Sequence, residues 1–171
     1  MTMVGYAQAP ASSTPVGIQM DFSFDPVSGA TTIANLQQVI FPGSQYTVPT
    51  KVNDAGQVVG LYVDSSGKEH GFLLSEGRYS TIDYPGAVAT EALAVNNWPL
   101  PAIAGDYTDA AGKVHGFVEI GGRFLPVNAA FAADLSVTGI NDLGEMTGNY
   151  DVESGSAQVF GFHGPRGCSR R

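Results

Sequence analysis

Two of the three histidines, His70 and His115, are the residues best placed to do chemistry. They stand in the octapeptides GKEHGFLL and GKVHGFVE, in the same frame and 45 residues apart. An aspartate precedes each of them by six residues, Asp64 and Asp109 respectively. Imidazole near a carboxylate suits general acid–base catalysis, and imidazole is also a common metal ligand. These four residues are therefore the catalytic candidates.

A structural role for the histidines competes with the catalytic one. Side chains alternate faces along a strand, so His70 points the same way as Phe72. The third copy of the pattern has Phe160 at the histidine position, which is typical of packing. The ring nitrogens would then hold the neighbouring turn through the aspartates six residues earlier. A tight metal site needs three or four ligands, and His163 aligns with the opposite face, so no metal site is predicted.

The histidines belong to a repeat of about 45 residues. Gly71-Phe72, Gly116-Phe117 and Gly161-Phe162 recur at that spacing, each after a segment ending in Gly and Tyr: VVGLYVD, AIAGDYTD and MTGNYD. The N-terminal MVGYAQ is a fainter copy. Turns such as DSSGK and NDAG separate runs rich in Val, Thr, Tyr and Phe, which predicts antiparallel hairpins. The count is about fourteen strands, four in each repeat.

This pattern predicts an all-β fold of four-stranded meanders, most simply a small β-propeller. A barrel, a sandwich or a solenoid of the same repeats is the alternative. One repeat domain would cover 1–165, with units at about 4–57, 58–101 and 102–145, a partial unit at 146–165, and a basic tail at 166–171. Because an open strand edge favours aggregation, either the first and last strands complete one blade, or two chains close one ring as a homodimer.

Composition and charge exclude several classes of partner. The 171 residues carry a net charge of −8 and are 43% hydrophobic. Three of the eight basic residues lie in the tail, so the rest of the chain is more acidic still. Without a basic stripe, neither nucleic acid nor an acidic lipid surface is an expected partner. No apolar run is long enough to insert into a membrane, and the N-terminal MTMVGYAQAP does not read as a signal peptide.

The remaining motifs give little indication of a catalytic site. No G-x-S-x-G elbow, dinucleotide fingerprint or P-loop is present in the sequence. Asp54 and Asp142, in N-D-x-G, and the aspartates of D-x-x-G-K read as turn-forming residues. No cofactor is expected, although a calcium site shared between repeats is the alternative. The single cysteine, Cys168, reads as part of a loose terminus.

One irregular turn offers a binding site. NNWPLPAIAG replaces the standard NDAGQVVG with two extra residues and contains the only tryptophan, Trp98. An exposed tryptophan beside Asn96, Asn97 and Asp106 would suit a sugar ring and its hydroxyls, whereas a tryptophan that fills the gap made by the insertion is the alternative. The full set of candidate ligand-binding residues is Trp98, Asn96, Asn97, Asp106, Tyr62 and Tyr107, the last two being repeated aromatics that more often pack in a core.

The repeat resembles the extracellular repeats of the HAF family. The segment from Asn53 to Phe72 follows that family's pattern N-D-x-G-x-x-x-G-x-Y-x-D-x-x-G-x-x-H-G-F almost throughout, and TIDYPGA continues it. The match is strong over about 50–125, partial to 162 and weak before 50. The resemblance implies a secreted or surface protein of bacterial origin. It brings no reaction or catalytic residues.

The expected function is therefore non-enzymatic binding of a ligand, a carbohydrate or another cell-surface molecule, through loops at one rim. A small lyase, isomerase or cyclase is the first alternative, with His70, His115 and a Tyr or Asp in a central cavity. A structural or adhesive surface module is the second. Whether the protein is an enzyme stays open at this point.

Overall fold

The computed structural model describes residues 2–7, 16–130, 132–152 and 160–164, the last range by its backbone alone. No helix able to span a membrane is found in this part of the chain. The described residues form fourteen strands: β1 (Thr2–Ala7), β2 (Val16–Phe24), β3 (Thr31–Val39), β4 (Tyr46–Val52), β5 (Val58–Val63), β6 (Glu69–Ser75), β7 (Arg78–Ile82), β8 (Ala89–Val95), β9 (Ala102–Thr108), β10 (Val114–Ile120), β11 (Arg123–Val127), β12 (Asp134–Ile140), β13 (Met146–Asp151) and β14 (Phe160–Gly164).

Within the described ranges these strands make four antiparallel sheets, each a meander of consecutive strands. Their orders are β1-β2-β3, β4-β5-β6-β7, β8-β9-β10-β11 and β12-β13-β14. The predicted all-β class, the antiparallel meander and the strand number are confirmed.

Each sheet ends at the turn that follows its last strand. At the first two of these turns a buried threonine of the next strand fixes the geometry: Thr47 Oγ1 accepts the Phe41 N–H at 2.9 Å, and Thr90 Oγ1 accepts the Tyr84 N–H at 3.1 Å. The turn therefore joins one sheet to the next. Each sheet after the first therefore begins one strand earlier than the unit predicted from the sequence. The second sheet begins at β4, for example, whereas the predicted unit 58–101 begins at β5.

The first and fourth sheets have three described strands, and this corrects one expectation. β1 pairs with β2, and β14 pairs with β13, in different sheets. The first and last strands therefore do not complete one blade together. Closure of the four sheets into a propeller ring, within one chain or between two, stays a prediction.

The core lies between successive sheets in three clusters of buried side chains. Phe72 and Phe117, the aromatic members of two Gly-Phe pairs, are fully buried in neighbouring clusters. β4, β8 and β12 each carry a bulge at the same repeat position, between Pro49 and Lys51 in the case of β4. A bulge bends a strand and re-aims the residues after it, here the turns that form the site. The tail 166–171, with Cys168, lies outside the described residues.

Candidate functional site

The turns that end β4, β8 and β12 meet around one cavity of about 820 Å³. The N-terminal half of β1 closes part of its wall. Most of the lining is polar, and it includes three equivalent pairs that we call the rim: Asn53–Asp54, Asn96–Asn97 and Asn141–Asp142. The remaining lining residues are Thr2, Met3, Val4, Thr50, Lys51, Val52, Val95 and Ile140.

The first asparagine of each pair closes its own turn. Asn53 Oδ1 accepts the N–H groups of Ala55 at 3.1 Å and Gln57 at 2.9 Å. Asn141 Oδ1 does the same for Leu143 and Glu145. A side-chain oxygen that caps the backbone two and four residues later stabilises a tight turn. The asparagines therefore hold the rim in place.

The second residue of each pair links one sheet to the next. Asp54 N–H donates to Asn97 Oδ1 at 2.8 Å, and Asn97 N–H donates to Asp142 Oδ1 at 2.7 Å. The backbone N–H bond and a side-chain bond from Asn97 Nδ2 lower the pKa of Asp142. Asp142 lies in its own turn, as the sequence predicted, and its carboxylate also bonds the preceding sheet.

The irregular turn keeps the asparagine cap over a longer loop. Asn96 Oδ1 accepts the Ala102 N–H at 2.9 Å, so the asparagine cap is kept despite the two extra residues. In the regular turns the asparagine Nδ2 donates to the side chain of Gln57 or Glu145. Ala102 stands at that position, and Asn96 Nδ2 is buried without a partner in the described part of the chain. A buried unsatisfied donor costs about 1–3 kcal/mol.

Trp98 contacts both the core and the rim. It is half-buried against the core cluster that contains Ala94 and Val137. Its Nε1–H donates to the backbone oxygen of Asp142 at 2.9 Å. The indole therefore packs against the core, which agrees with the second of the two roles considered for it. Asn96 and Asn97 line the cavity, but Trp98 is not among its lining residues.

Each histidine is held inside its own sheet. His70 Nδ1 lies 2.9 Å from Asp83 Oδ1, and its Nε2 lies 3.3 Å from Asp64 Oδ2. His115 Nε2 lies 2.9 Å from Asp109 Oδ2. The predicted contact with the aspartate six residues earlier is confirmed in both copies. Neither histidine lines the cavity, so the four catalytic candidates form two separate pairs.

The repeated tyrosines belong to ring stacks. Tyr62 lies between Phe41, at a centroid distance of 3.7 Å, and His70, at 5.0 Å. Tyr107 lies in the same way between Tyr84, at 3.6 Å, and His115, at 5.0 Å. Stacked aromatic rings gain stability beyond the area they bury. Tyr62 and Tyr107 are therefore packing residues and are absent from the cavity wall.

The aspartates of the two D-x-x-G-K turns bond the backbone of their own turns, as the sequence predicted. Asp64 Oδ1 accepts the N–H groups of Ser66 and Lys68, and Asp109 Oδ1 accepts those of Ala111 and Lys113. The Ser66 hydroxyl is the main cause of the lowered pKa of Asp64, and His115 is the main cause for Asp109. Among the described residues, no group of three or more His, Cys, Asp or Glu side chains could hold a metal ion.

Asp106 lies in a middle strand, away from the cavity wall, where it faces a second acid. It stands directly opposite Glu91 in the β8–β9 ladder. The equivalent pairs of the neighbouring sheets, Val48–Leu61 and Ser136–Asn149, are uncharged. Burial raises the pKa of Asp106 to about 6, and burial together with Glu69 raises the pKa of Glu91 to about 7. Opposed like charges destabilise a sheet.

This acid pair predicts a pH dependence of stability. Both groups hold protons in the folded state that the unfolded chain releases at lower pH, so the free energy of unfolding should fall as pH rises from about 4 to about 7. Glu91→Gln should flatten this fall and stabilise the protein at about pH 8. Urea unfolding of both proteins at about pH 5 and about pH 8, followed by tryptophan fluorescence, measures the difference. The exposed Glu76→Gln is the control, and an equal flattening in that variant would contradict the assignment.

Sequence reasoning missed part of the cavity lining. Lys51 was not singled out, and Asp54 and Asp142 were considered only as turn or calcium residues. The available signal was the recurrence of N-D or N-N at equivalent positions in three repeats. Residues at one repeat position meet only if the sheets are arranged around an axis, and the order of strands along the chain does not fix that arrangement.

Comparison with known proteins gave no relative: no family model, curated protein or solved structure matched the chain.

Proposed function

We propose that this is a non-enzymatic β-repeat protein that binds a hydroxyl-rich ligand, a carbohydrate or a similar cell-surface molecule, at the rim. The observation that carries the proposal is the cavity of about 820 Å³ with amide, carboxylate and ammonium groups around it. That volume is within the usual range for small-molecule sites. The resemblance to HAF repeats favours a secreted or surface location.

The chemistry of the rim suits sugar hydroxyls. Asp54, Asn97 and Lys51 are exposed at the cavity. A carboxylate accepts two hydroxyl protons, and an ammonium group donates to hydroxyl oxygens. The backbone bonds of the rim fix Asn97 and Asp142 before a ligand arrives. Such preorganisation reduces the entropy lost on binding.

Binding can be followed with the protein's own fluorescence. Trp98 is the only tryptophan in the chain and is bonded to the rim through Asp142. A glycan array identifies ligands, and a fluorescence titration with each hit measures affinity. Asp54→Ala should weaken binding at least tenfold, because a hydrogen bond to a charged group contributes about 1.5–3 kcal/mol.

The matched control is Asp25→Ala, since Asp25 lies in an exposed turn of the first sheet and bonds its own backbone. That variant should bind as the unaltered protein does. Equal affinity in Asp54→Ala would refute rim binding. If no glycan binds to a folded protein, the structural or adhesive role becomes the better proposal.

A further inference from the structure

The first sheet lacks the strand that begins each of the other three described sheets. β4 pairs with β5, β8 with β9, and β12 with β13. β1 is the counterpart of β5 and β9, since Gly5 pairs with Ile18 as Gly60 pairs with Phe72 and Gly105 with Phe117. In the described part of the chain, β1 pairs with β2 alone. Its other edge is a template for a further strand.

Gly5 is the first observation which indicates that a further strand could pair with this edge. A Cβ on Gly60 would lie 2.8 Å from the Pro49 Cα, and a Cβ on Gly105 would lie 3.2 Å from the Ala92 Cα. Those glycines are therefore required by the close approach of β4 and β8. A Cβ on Gly5 would meet nothing within 4 Å. Glycine weakens a strand unless a neighbouring backbone needs the space, and here an added strand would need it.

Met3 is the second sign. Its counterparts Val58, Ile103 and Met146 are 0%, 1% and 8% exposed. Met3 is 39% exposed. In the equivalent sheets part of that cover is an apolar residue of the first strand, Val52 opposite Val58 and Val95 opposite Ile103, and no described strand supplies such a neighbour to Met3.

The rim supplies the third sign. Each backbone bond across the rim runs from one sheet to a side chain of the next, from Asp54 to Asn97 and from Asn97 to Asp142. A first strand in the first sheet would continue the series by donating its own N–H to the Asp54 carboxylate. Asp54 is exposed and lines the cavity, as do Thr2, Met3 and Val4 of β1.

We infer that the edge of β1 that no described strand pairs with is a binding site for an extended polypeptide segment of the same chemistry as β4 and β8. Such a segment has a small or imino residue opposite Gly5, an apolar residue beside Met3 and a terminal Asn-Asp or Asn-Asn that meets Asp54. Recognition by strand addition uses the main chain for affinity and alternate side chains for specificity. This site adjoins the proposed ligand site and shares Asp54 with it, but strand addition at β1 does not depend on ligand binding.

The probe is a fluorescein-labelled peptide with the sequence of residues 45–57, QYTVPTKVNDAGQ, added to the intact protein. Saturable binding by fluorescence anisotropy is expected, together with hydrogen-exchange protection of Thr2–Ala7. A peptide with the same residues in reverse order should bind at least tenfold more weakly. Equal binding of both peptides, or no binding of either, overturns the inference.

Gly5→Val tests the site itself, because its side chain blocks the approach of a backbone and has free space in the unbound protein. Peptide affinity should fall at least tenfold while the melting temperature and glycan binding stay unchanged. Ser23→Val, on an exposed position of β2, is the matched control and should leave affinity intact. The proposal is overturned if Gly5→Val binds the peptide as tightly as the unaltered protein does, or if the peptide protects another sheet edge from hydrogen exchange. It is also overturned if the protein is a dimer in solution and the peptide does not dissociate it.

Discussion

Phe117→Ala should lower the free energy of unfolding by about 3–5 kcal/mol. Phe117 is fully buried between the second and third sheets, with Ile103, Ala92 and Val59 in the same cluster. Its ring also lies 5.3 Å from that of Phe124. Truncation removes this apolar surface from the core and leaves a cavity, because the flanking sheets are held by their own hydrogen bonds and can collapse little.

Urea unfolding followed by tryptophan fluorescence measures the loss from the midpoint at constant slope. Phe24→Ala is the control, since Phe24 is 56% exposed at the end of β2. That variant should change the free energy by no more than about 0.5 kcal/mol. A loss of less than about 1 kcal/mol in Phe117→Ala would show that the Gly-Phe strand does not form the core described above.

Gly105→Ala should cost about 3 kcal/mol or more, although it adds a single methyl group. The new Cβ would overlap the backbone oxygen of Glu91, and the Ala92 Cα is close as well. The obstacle is backbone within the same sheet, so the clash cannot be relieved by a change of side-chain rotamer. β8 would have to move away from β9 and break ladder hydrogen bonds.

Gly5→Ala provides the control at the same repeat position. Nothing lies within 4 Å of its added Cβ, so stability should stay within about 0.5 kcal/mol of the unaltered protein. Thermal and urea unfolding of the two variants side by side test the comparison. Equal losses would mean that the glycine is needed for its own conformation and not for the approach of a first strand.

The repeated turns explain why so much of the fold was predictable. In D-x-x-G-K the aspartate bonds the backbone two and four residues later, and Gly67 and Gly112 adopt positive φ. Those interactions lie within five residues of one another, so the local sequence is enough to specify them. The same holds for His70 and Asp64, whose contact follows from strand alternation and a short turn.

The candidate site was less predictable, since it depends on contacts between repeats. The Asn97–Asp142 bond joins residues 45 positions apart, and the Glu91–Asp106 pair arises from register. Trp98 is informative: the sequence left two roles open for it, and its packing against the core cluster that contains Ala94 and Val137 favours the structural one. Asp106 was placed in the ligand site because of sequence proximity, but its strand carries it away from the rim.

By itself, the sequence determined the strands, their antiparallel order and the turn chemistry, because each of these is fixed by interactions over a few residues. The tertiary structure alone decided that one asparagine–aspartate position from three repeats surrounds a cavity, and that the histidines stay in separate sheets. It also decided that, among the described strands, only β2 pairs with β1, which leaves Gly5 and Met3 without a second neighbouring strand. Those features depend on how whole sheets pack against one another, which is a balance of many weak long-range contacts that no short motif records.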